Sequence, residues 1–299
     1  MRVFVTGASG WIGSATVDEL LAAGHEVVGL ARSDASASAL ESKGATVLKG
    51  DLDDLDALRR GAVDAEGVVH LANKHDWANP AESNRAERAA VETLADALAG
   101  TGRPFLLAAG VAGLASGRPG TEADPSPAIG PESPRGGAEN LALASVDRGV
   151  RTVSVRFAPT VHGDGDHGFI AIITAAARRH GVSPYVGDGS TSWSAVHVAD
   201  AARLVRLGLE QAPAGSRLHA VAEEAVPTRE IAQAIGDAVG VPVASVSPED
   251  AVEHLGGFIG HFFAMDLAAT SDHTRRVLGW TPTGPGLLED IKAGAYRHA

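Results

Sequence analysis

The sequence lacks cysteine and is poor in aromatic residues, and both shortages limit what the protein can do. Without cysteine it has no disulfide, no thiolate nucleophile and no thiolate metal site. Aromatic residues make up 4% of the 299 residues, so the core is built mainly from Ala, Val, Leu and Ile. The net charge of -12 disfavours nucleic acid and anionic membranes as partners, because both require clustered Lys and Arg. One local basic site for a phosphate is still compatible with this charge.

Long apolar runs are also absent, since none approaches the roughly 18 residues needed to cross a bilayer. The chain starts on the strand-like segment "RVFVT", without the basic, apolar and cleavage regions of a secretory signal. We therefore predict a cytoplasmic protein. Its length and its 44% hydrophobic content are sufficient for one large domain or for two lobes.

Strand and helix signals alternate through the first half of the chain. Short apolar segments predict strands over 2–6, 25–32, 45–51, 66–73, 103–110 and 150–157. Amphipathic segments between them predict helices over 11–24, 55–61, 81–100 and 139–149. Continuous apolar strands separated by helices are typical of a parallel sheet that is covered on both faces. With right-handed crossovers, this pattern predicts an α/β fold with a doubly wound parallel sheet of the Rossmann type.

The alternation becomes less regular after residue 160, where helices dominate. They are predicted over 197–211, over 228–240 with Thr228 as N-cap, and over 247–256 with Ser247 as N-cap. Such a segment suits a smaller lobe placed over one end of the sheet.

We predict a dinucleotide-binding domain over residues 1–164, rejoined by residues 190–222, and a smaller C-terminal substrate lobe over 165–299. Between the fifth and sixth strands, residues 112–134 are rich in Gly, Pro and Ser. This composition predicts a long irregular loop, and a loop at the carboxyl end of a sheet strand often covers a substrate.

Three glycines lie between the first predicted strand and the first helix, in the segment "TGASGWIG". Gly7 permits the tight turn, Gly10 lets the backbone approach a pyrophosphate, and Gly13 lets helix and strand pack closely. The start of the helix adds N–H groups and a partial positive charge. We therefore predict a dinucleotide site that also includes Ser9, Trp11 and Ile12.

The end of the second strand indicates which dinucleotide is bound. An NAD site would place Asp or Glu there for the ribose hydroxyls. This strand instead ends with Arg32 and Ser33, which can bind a 2′-phosphate, and the nearest acid, Asp34, comes after them. We predict NADP(H). The ends of the third and fourth strands add further predicted cofactor contacts, at Asp51, Leu52, Leu71, Ala72 and Asn73.

Five motifs occur in an order that resembles a known family. They are "TGASGWIG", "GDL", "VVHLA", "VRFAPTVHG" and "AVHVADAARL". Together they resemble the short-chain dehydrogenase/reductase superfamily, in its extended and atypical branches with the NAD(P)-dependent epimerase/dehydratases. The resemblance implies that residues 156–163 pass the nicotinamide end of the cofactor. It also implies that backbone groups of Pro159, Thr160 and Val161 meet the carboxamide.

The catalytic pair of that superfamily, Tyr-x-x-x-Lys, is missing. The chain has two tyrosines, Tyr185 and Tyr296, and neither has a lysine four residues later. Counted back from Gly149 as relatives are spaced, the tyrosine falls on Pro131 and the lysine on Arg135. The resemblance therefore implies that "PRGGAE" is the start of the catalytic helix and that Arg135 holds the nicotinamide ribose. Arginine cannot supply a proton near pH 7, so the donor must come from elsewhere.

Histidines are the candidate proton donors, because their pKa suits general acid catalysis. His75 follows the fourth strand, and His162 and His167 follow the sixth, all on the cofactor side of the sheet. Ligand-type residues also occur in "HGDGDHG" over 162–168, but Gly-flanked acids of this kind are common in turns. We predict no metal site.

Three functions remain compatible with the sequence. The first is an NADP(H)-dependent oxidoreductase, a reductase that passes hydride to a carbonyl or imine of a small substrate without the usual tyrosine. The second is a catalytically silent NADP(H)-binding sensor or regulatory protein. The third is a nucleotide-sugar epimerase or dehydratase, whose chemistry depends most on the missing tyrosine. The fold alone does not choose among them.

An aromatic cluster in the C-terminal half favours an apolar substrate. Its members are Phe258, Phe262, Phe263 and Met265, which together with Trp193 and Trp77 could form the wall of a pocket. The same residues are also compatible with the core of a small lobe or with a homodimer contact.

Overall fold

The computed structural model describes residues 1–76 and 78–297. The strands are β1 (Arg2–Thr6), β2 (Glu26–Ala31), β3 (Thr46–Lys49), β4 (Gly67–His70), β5 (Pro104–Gly110), β6 (Arg151–Phe157), β7 (Thr160–His162), β8 (Ser183–Val186), β9 (Ser192–His197), β10 (Ser216–Ala220), β11 (Glu223–Pro227) and β12 (Val243–Val246). Seven of them form one parallel sheet in the order β10-β6-β5-β4-β1-β2-β3. The predicted doubly wound sheet is therefore confirmed.

Helices cover both faces of this sheet and build most of the second lobe. They are α1 (Trp11–Ala22), α2 (Asp34–Ser42), α3 (Leu55–Asp64), α4 (Pro80–Leu98), α5 (Ala138–Ala144), α6 (Phe169–His180), α7 (Val198–Gln211), α8 (Thr228–Val239), α9 (Pro248–Leu255), α10 (Gly257–Phe263), α11 (Asp272–Leu278) and α12 (Leu287–Ala293). None of the described helices is both long and apolar enough to cross a membrane.

The sheet is buried on both faces because its central strands carry mostly apolar side chains. In β1, Val3 and Val5 belong to the core on one face, whereas Phe4 belongs to the core on the other. This is the alternation expected of successive residues in a strand. The chain runs from β1 outward to β3 and then returns to place β4 on the other side of β1. The gap between the ends of β1 and β4 is thus the switch point where α/β proteins bind ligands.

A second group of elements packs around a separate apolar core. It contains a three-stranded sheet in the order β11-β9-β7, the parallel pair β8 and β12, and the helices around them. Trp193 and Phe263 are fully buried there. Strand β10 lies between these segments in the chain but joins the large sheet beside β6. The exact domain boundaries stay a prediction.

Some local predictions need correction. The N-cap of α8 is Pro227, and Thr228 is its buried first residue, whose hydroxyl lies 3.0 Å from that of Thr191. Ser247 does cap α9, since its hydroxyl oxygen accepts from the amide of Asp250 at 3.1 Å. The helix predicted over 139–149 ends at Ala144 and continues as a 3-10 turn.

The predicted irregular loop over residues 112–134, between β5 and β6, is held by hydrogen bonds. The amide of Gly120 donates to the carbonyl of Ala268 at 2.9 Å. Asp124 accepts from Arg118 at 2.6 Å, and the Asn140 side chain donates to the carbonyl of Ala128 at 2.8 Å. The loop is therefore fixed against the neighbouring elements.

Candidate functional site

The loop after β1 has the geometry of a phosphate cradle. Gly7 has a φ of 68°, and a Cβ there would lie 2.7 Å from the amide nitrogen of Ala72. At Gly13 a Cβ would lie 1.9 Å from the carbonyl oxygen of Gly7. Both positions therefore require glycine. Helix α1 begins after Gly10 without a side-chain cap or an acidic residue in its first turn, which suits an anion at that end.

The side chain of Trp11 ties this cradle to the segment after β6. Its indole Nε1 donates to the carbonyl of Val161 at 2.7 Å. Its ring also meets the ring of His167 edge-on, with centroids 6.1 Å apart. Residues predicted at the pyrophosphate and at the carboxamide are thus held next to each other. Part of the hydrogen-bonding capacity of Val161 is already used by Trp11.

At the end of β2, Arg32 is exposed, and none of the described residues forms an ion pair with it. Its guanidinium is thus available to a phosphate. The neighbouring Ser33 is the N-cap of α2, where its hydroxyl oxygen accepts from the amide of Ser36 at 3.2 Å. The Ser33 hydroxyl also donates to the hydroxyl of Ser36 at 3.0 Å, and it would have to give up that bond in order to donate to a phosphate oxygen.

The other predicted adenosine contacts line the ends of β3 and β4. One carboxylate oxygen of Asp51 accepts from the amide of Asp53 at 2.9 Å, so it stabilises its own turn. Leu52 is buried in the core beneath it. Leu71 and Ala72 are half-buried and lie against Gly7, where the backbone is closest to the phosphate loop.

A buried carboxylate links the two sides of the predicted catalytic region. Glu87 of α4 is 1% exposed. Its Oε1 accepts from Nη2 of Arg135 at 2.5 Å, and its Oε2 accepts from Nδ2 of Asn73 at 3.0 Å. The Oδ1 of Asn73 in turn accepts from the amide of His75 at 2.9 Å. We call these four residues the Glu87 cluster.

Both predicted catalytic residues of this cluster have unusual backbones. His75 has a φ of 50° and Arg135 a φ of 55°, and within the described chain they are the only non-glycine residues with positive φ. Such conformations cost about 1–3 kcal/mol and concentrate at functional sites. Arg135 is therefore presented by a left-handed turn rather than by the helix start that the family spacing implied, because α5 begins only at Ala138.

Helix α4 fixes this turn. A Cβ at Gly136 would lie 2.5 Å from the carbonyl oxygen of Asn84. The residue after Arg135 must therefore be glycine for the turn to pack this closely against α4. The guanidinium of Arg88 also donates to the carbonyl of Gly136 at 3.1 Å. Helix α4 thus holds both the guanidinium of Arg135, through Glu87, and the backbone turn that carries it, through Asn84 and Arg88.

The electrostatics around Glu87 favour the neutral forms of two nearby histidines, His75 of the cluster and His70 of β4. His75 keeps an exposed surface, yet partial desolvation and then the charge of Arg135 lower its pKa, against the opposing effect of Glu87. His70 is wholly buried on β4, where burial lowers its pKa. Its Nδ1 lies 2.8 Å from the Thr6 hydroxyl, and its Nε2 lies 3.9 Å from Oε1 of Glu87.

His162 lies in a different environment. Its side chain is fully buried on β7, with Nδ1 at 2.6 Å from Oδ2 of Asp290 and Nε2 at 3.8 Å from Oε2 of Glu223. Burial lowers its pKa, although Asp290 opposes the shift. His162 therefore contacts the second lobe rather than the Glu87 cluster. The structure brings His75 and Arg135 together and places His162 apart from them.

Neither tyrosine belongs to the cluster. The hydroxyl of Tyr296 donates to Oδ2 of Asp166 at 2.7 Å, and burial raises its pKa far above the usual range. The ring of Tyr185 lies under the guanidinium of Arg229, 5.3 Å from its centroid. Both hydroxyl-bearing rings thus have structural partners of their own.

Comparison with known proteins agrees with this geometry. The model of the NAD dependent epimerase/dehydratase family matches residues 3–221. The chain belongs to the NAD-dependent epimerase/dehydratase family. An uncharacterized protein of Schizosaccharomyces pombe is 44% identical over 99% of this chain and 100% of its own length. A 4-hydroxy-2-methyl-3-oxo-4-farnesyl-3,4-dihydroquinoline-1-oxide ketoreductase of Stigmatella aurantiaca is 31% identical over 72% of this chain and 66% of its own.

Solved structures place this family member in the extended branch of the short-chain dehydrogenases/reductases. The structure of MoeE5 in complex with UDP-glucose and NAD superposes with a TM-score of 0.75 and 26% identity, over 99% of this chain and 97% of that one. A nicotinamide dinucleotide is thus the cofactor class of the fold. The close approach of Gly7, Gly13 and the end of β4 fits such a cofactor.

Glu87 is the site residue that sequence reasoning missed. The signal was one acid within the buried face of α4, between Ala86 and Ala90. Helical periodicity predicts an apolar residue at such a position, and a buried carboxylate requires a cationic or hydrogen-bonding partner. That mismatch could have identified Glu87 as functional, but not its partners.

Proposed function

We propose that this family member is an NADP(H)-dependent reductase that passes hydride to a carbonyl or imine of a small apolar substrate. The observation that carries the proposal is the Glu87 cluster, a hydrogen-bonded network that holds the cation Arg135 and, through its backbone amide, the loop residue His75. A cation and a proton donor are the two roles that the superfamily assigns to Lys and Tyr. Both would be filled here by other residue types.

NADPH, when bound, supplies the hydride. The phosphate cradle binds the pyrophosphate and Arg32 binds the 2′-phosphate. Arg135 holds the ribose hydroxyls through the guanidinium nitrogens that Glu87 leaves available. Because the pKa of His75 is lowered, only the protonated fraction of its imidazole donates a ring proton to the substrate oxygen. The ring becomes neutral and then recovers a proton from water at its exposed surface. An imine can also arrive already protonated, in which case His75 only orients it.

An aromatic surface supports the apolar substrate. Phe262 and Phe258 stack with centroids 5.3 Å apart, and Phe169 lies 5.1 Å from Phe262. Thr160 pairs with Ala195, so Trp193 lies two residues earlier on β9, toward Pro159. Trp193 also meets Phe262, at 5.5 Å. The cluster is thus partly lobe core and partly exposed wall.

Trp77, the remaining aromatic residue of the predicted wall, lies outside the described residues. Trp193 and Phe263 are fully buried and belong to the lobe core, so the exposed part of the wall is formed by Phe258 with the half-buried Phe262 and Phe169. An apolar wall beside the nicotinamide end suits a ring or chain better than a sugar nucleotide.

The second candidate is a catalytically silent NADP(H)-binding sensor. It is favoured by the placement of Tyr185 and Tyr296, whose hydroxyls lie outside the Glu87 cluster. A nucleotide-sugar epimerase ranks third, because its ring chemistry needs a base that can both take and return a proton at the sugar.

Two assays distinguish these functions. The first is a fluorescence titration with NADPH and NADH, and the second follows NADPH consumption with ketones, aldehydes and cyclic imines. Arg135→Ala should lower kcat/KM about 10- to 100-fold, as expected for lost charge-assisted hydrogen bonds. His75→Gln should lower kcat and leave NADPH affinity unchanged.

Arg148→Ala is the matched control, because Arg148 is half-exposed and pairs with Asp96 at 2.8 Å on the surface. It should leave both assays unchanged. Tight NADPH binding without turnover of any substrate would favour the sensor. Unchanged turnover in both Arg135→Ala and His75→Gln would contradict the roles proposed for Arg135 and His75.

A further inference from the structure

Burying the carboxylate of Glu87 costs free energy that only its binding partners can offset. Its neighbours on the buried face of α4 are Ala86, Ala90, Val91 and Leu94, which are ordinary core residues. An ionised carboxylate among them loses its hydration, and the effective penalty in proteins is several kcal/mol. A leucine or alanine would satisfy the packing of α4 without that penalty. The carboxylate must therefore be explained by what it binds.

The side chains that surround the Glu87 carboxylate come from three separate segments of the chain. Arg135 reaches it from the turn before α5, Asn73 from the loop after β4, and His70 from β4 itself, with Nε2 at 3.9 Å. The first two carry groups predicted to meet the cofactor. Glu87 therefore joins the two loops that border the nicotinamide end.

Two buried side-chain nitrogens beside Glu87 remain unpaired within the described residues. The Nε of Arg135 and the Nε2 of His70 have no hydrogen-bond partner within the described residues. A buried donor without a partner costs about 1–3 kcal/mol. The Nε of Arg135 is buried, but its side chain as a whole is 34% exposed, so other guanidinium N–H groups remain open to a ligand oxygen. Glu87 thus holds one edge of the guanidinium while leaving another edge for a ligand.

We propose that Glu87 is the positioning residue of this site, whose carboxylate fixes the Arg135 guanidinium and the Asn73 amide and thereby orients both the ribose-binding cation and the His75 loop. This inference rests on the proposed function for the identity of the ligand, a nicotinamide ribose. The contacts of Glu87 themselves do not depend on it. Glu87 acts through other residues and does not touch the reacting atoms.

The charge of Glu87 also acts on His75. The charges that shift the pKa of His75 are Arg135, which lowers it, and Glu87, which raises it. On its own loop, Lys74 forms ion pairs with two carboxylates and Asp76 bonds to the side chain of a nearby asparagine. Removing the Glu87 charge leaves Arg135 uncompensated, so the pKa of His75 should fall further.

A double-mutant cycle tests the positioning role. NADPH affinity is measured by fluorescence for the wild type, Glu87→Gln, Arg135→Ala and the double variant. Each single variant should weaken binding about 10-fold, and the double variant should bind no more weakly than Arg135→Ala, because residues that act through one another are not additive. Losses that multiply in the double variant would overturn the proposal.

The matched control is Glu92→Gln, the same change five residues later on the same helix. Glu92 is 49% exposed and pairs with Arg88 at 3.0 Å, so its loss should change NADPH affinity less than about twofold. An equal loss in Glu92→Gln would show a general effect of charge on α4 and would overturn the specific role. If Glu87→Gln does not fold, Glu87→Asp takes its place in the cycle with the same non-additivity expected.

A proton titration of the His75 ring by NMR, assigned through His75→Gln, gives a readout that needs no cofactor. The pKa of His75 should be lower in Glu87→Gln than in the wild type, unchanged in Glu92→Gln, and restored in Glu87→Asp, which keeps the charge. An unchanged pKa in Glu87→Gln would overturn the proposal. A wild type that binds NADPH without turnover would refute only the proposed reductase activity. The positioning role of Glu87 would still be tested, because neither NADPH affinity nor the pKa of His75 requires turnover.

Discussion

At the scale of single residues, Arg32 is the residue that we propose selects NADP(H) over NAD. Its guanidinium is exposed at the end of β2, and none of the described residues forms an ion pair with it. The acid that would bind the ribose hydroxyls of NAD is absent from this position, since Asp34 forms an ion pair with Lys49. Arg32 is therefore suited to a 2′-phosphate, although relatives of the same fold bind NAD.

We predict that Arg32→Ala weakens NADPH binding about 10- to 100-fold, because a charge-assisted contact of about 1.5–3 kcal/mol is lost. NADH affinity should stay within about twofold, since NADH lacks the phosphate. Fluorescence titration of both cofactors measures this difference. Arg60→Ala, an exposed arginine on α3, serves as the control and should change neither affinity. Equal losses for both cofactors would contradict the assignment of NADP(H).

His75 and His162 show why residue type alone could not identify a proton donor. Both follow sheet strands on the cofactor side, and both have a lowered pKa. Only His75 combines an exposed surface with hydrogen-bonded contact to the Arg135 network. His162 is enclosed beside Asp290, so its imidazole stabilises the second lobe.

At the scale of elements, the start of α1 shows how closely helix and strand must pack. A Cβ at Gly13 would lie 1.9 Å from the Gly7 carbonyl oxygen. Backbone atoms cannot yield as a flexible side chain can, so the helix would have to move away from the loop. The pyrophosphate cradle depends on this same contact.

We predict that Gly13→Ala lowers the free energy of unfolding by about 2–3 kcal/mol and weakens binding of NADPH at least tenfold. Urea unfolding and fluorescence titration measure the two effects. Ser14→Ala, one residue further along α1, should change the free energy of unfolding by less than about 0.5 kcal/mol. Normal stability in Gly13→Ala would mean that the helix start is looser than the structure has it.

This element was predictable from the sequence because its requirement is local. The spacing of Gly7, Gly10 and Gly13 between a strand and a helix already implies the turn, the approach and the packing. The strands and their parallel order were predictable for the same reason, through apolar runs and helical crossovers. Local signals of this kind need no knowledge of distant residues.

The Glu87 cluster was only half predictable because its members come from three elements. The family spacing indicates Arg135, and the position after β4 indicates Asn73 and His75. No local pattern shows that one acid on α4 faces all of them. The left-handed turn at Arg135 likewise depends on its contact with the Asn84 carbonyl, a tertiary constraint.

At the scale of the whole molecule, polar contacts join β7 to α1, which flanks the large sheet, and join β7 and β11 to α12 in the second group of elements; we call these contacts the seam. Trp11 of α1 donates to Val161, and His162 of β7 pairs with Asp290 of α12. The Glu223 carboxylate accepts from the amide of Leu287 at 2.7 Å. The seam is therefore held by buried or half-buried hydrogen bonds rather than by apolar packing alone, and its histidine makes it sensitive to pH.

Three buried histidines, His70, His162 and His219, have their pKa lowered mainly by burial. In each, the folded state binds a proton less readily than the unfolded state, whose histidine pKa is about 6.5. Their contribution to stability is thus fully present above that pH and is lost as the pH falls through the folded values. Burial raises the pKa of Asp166, which acts in the opposite direction as the pH falls.

We predict that the free energy of unfolding decreases between pH 7.5 and pH 5.5, with each histidine contributing on the order of 1 kcal/mol. Urea unfolding at both values measures the slope. In His162→Gln the slope should be smaller, because the unfolded chain of the variant has no histidine at position 162 that takes up a proton as the pH falls. His273→Gln, at an exposed position on α11, should keep the wild-type slope and serves as the control. Stability that stays constant or rises toward pH 5.5 would show that the buried histidines are not kept neutral by the fold.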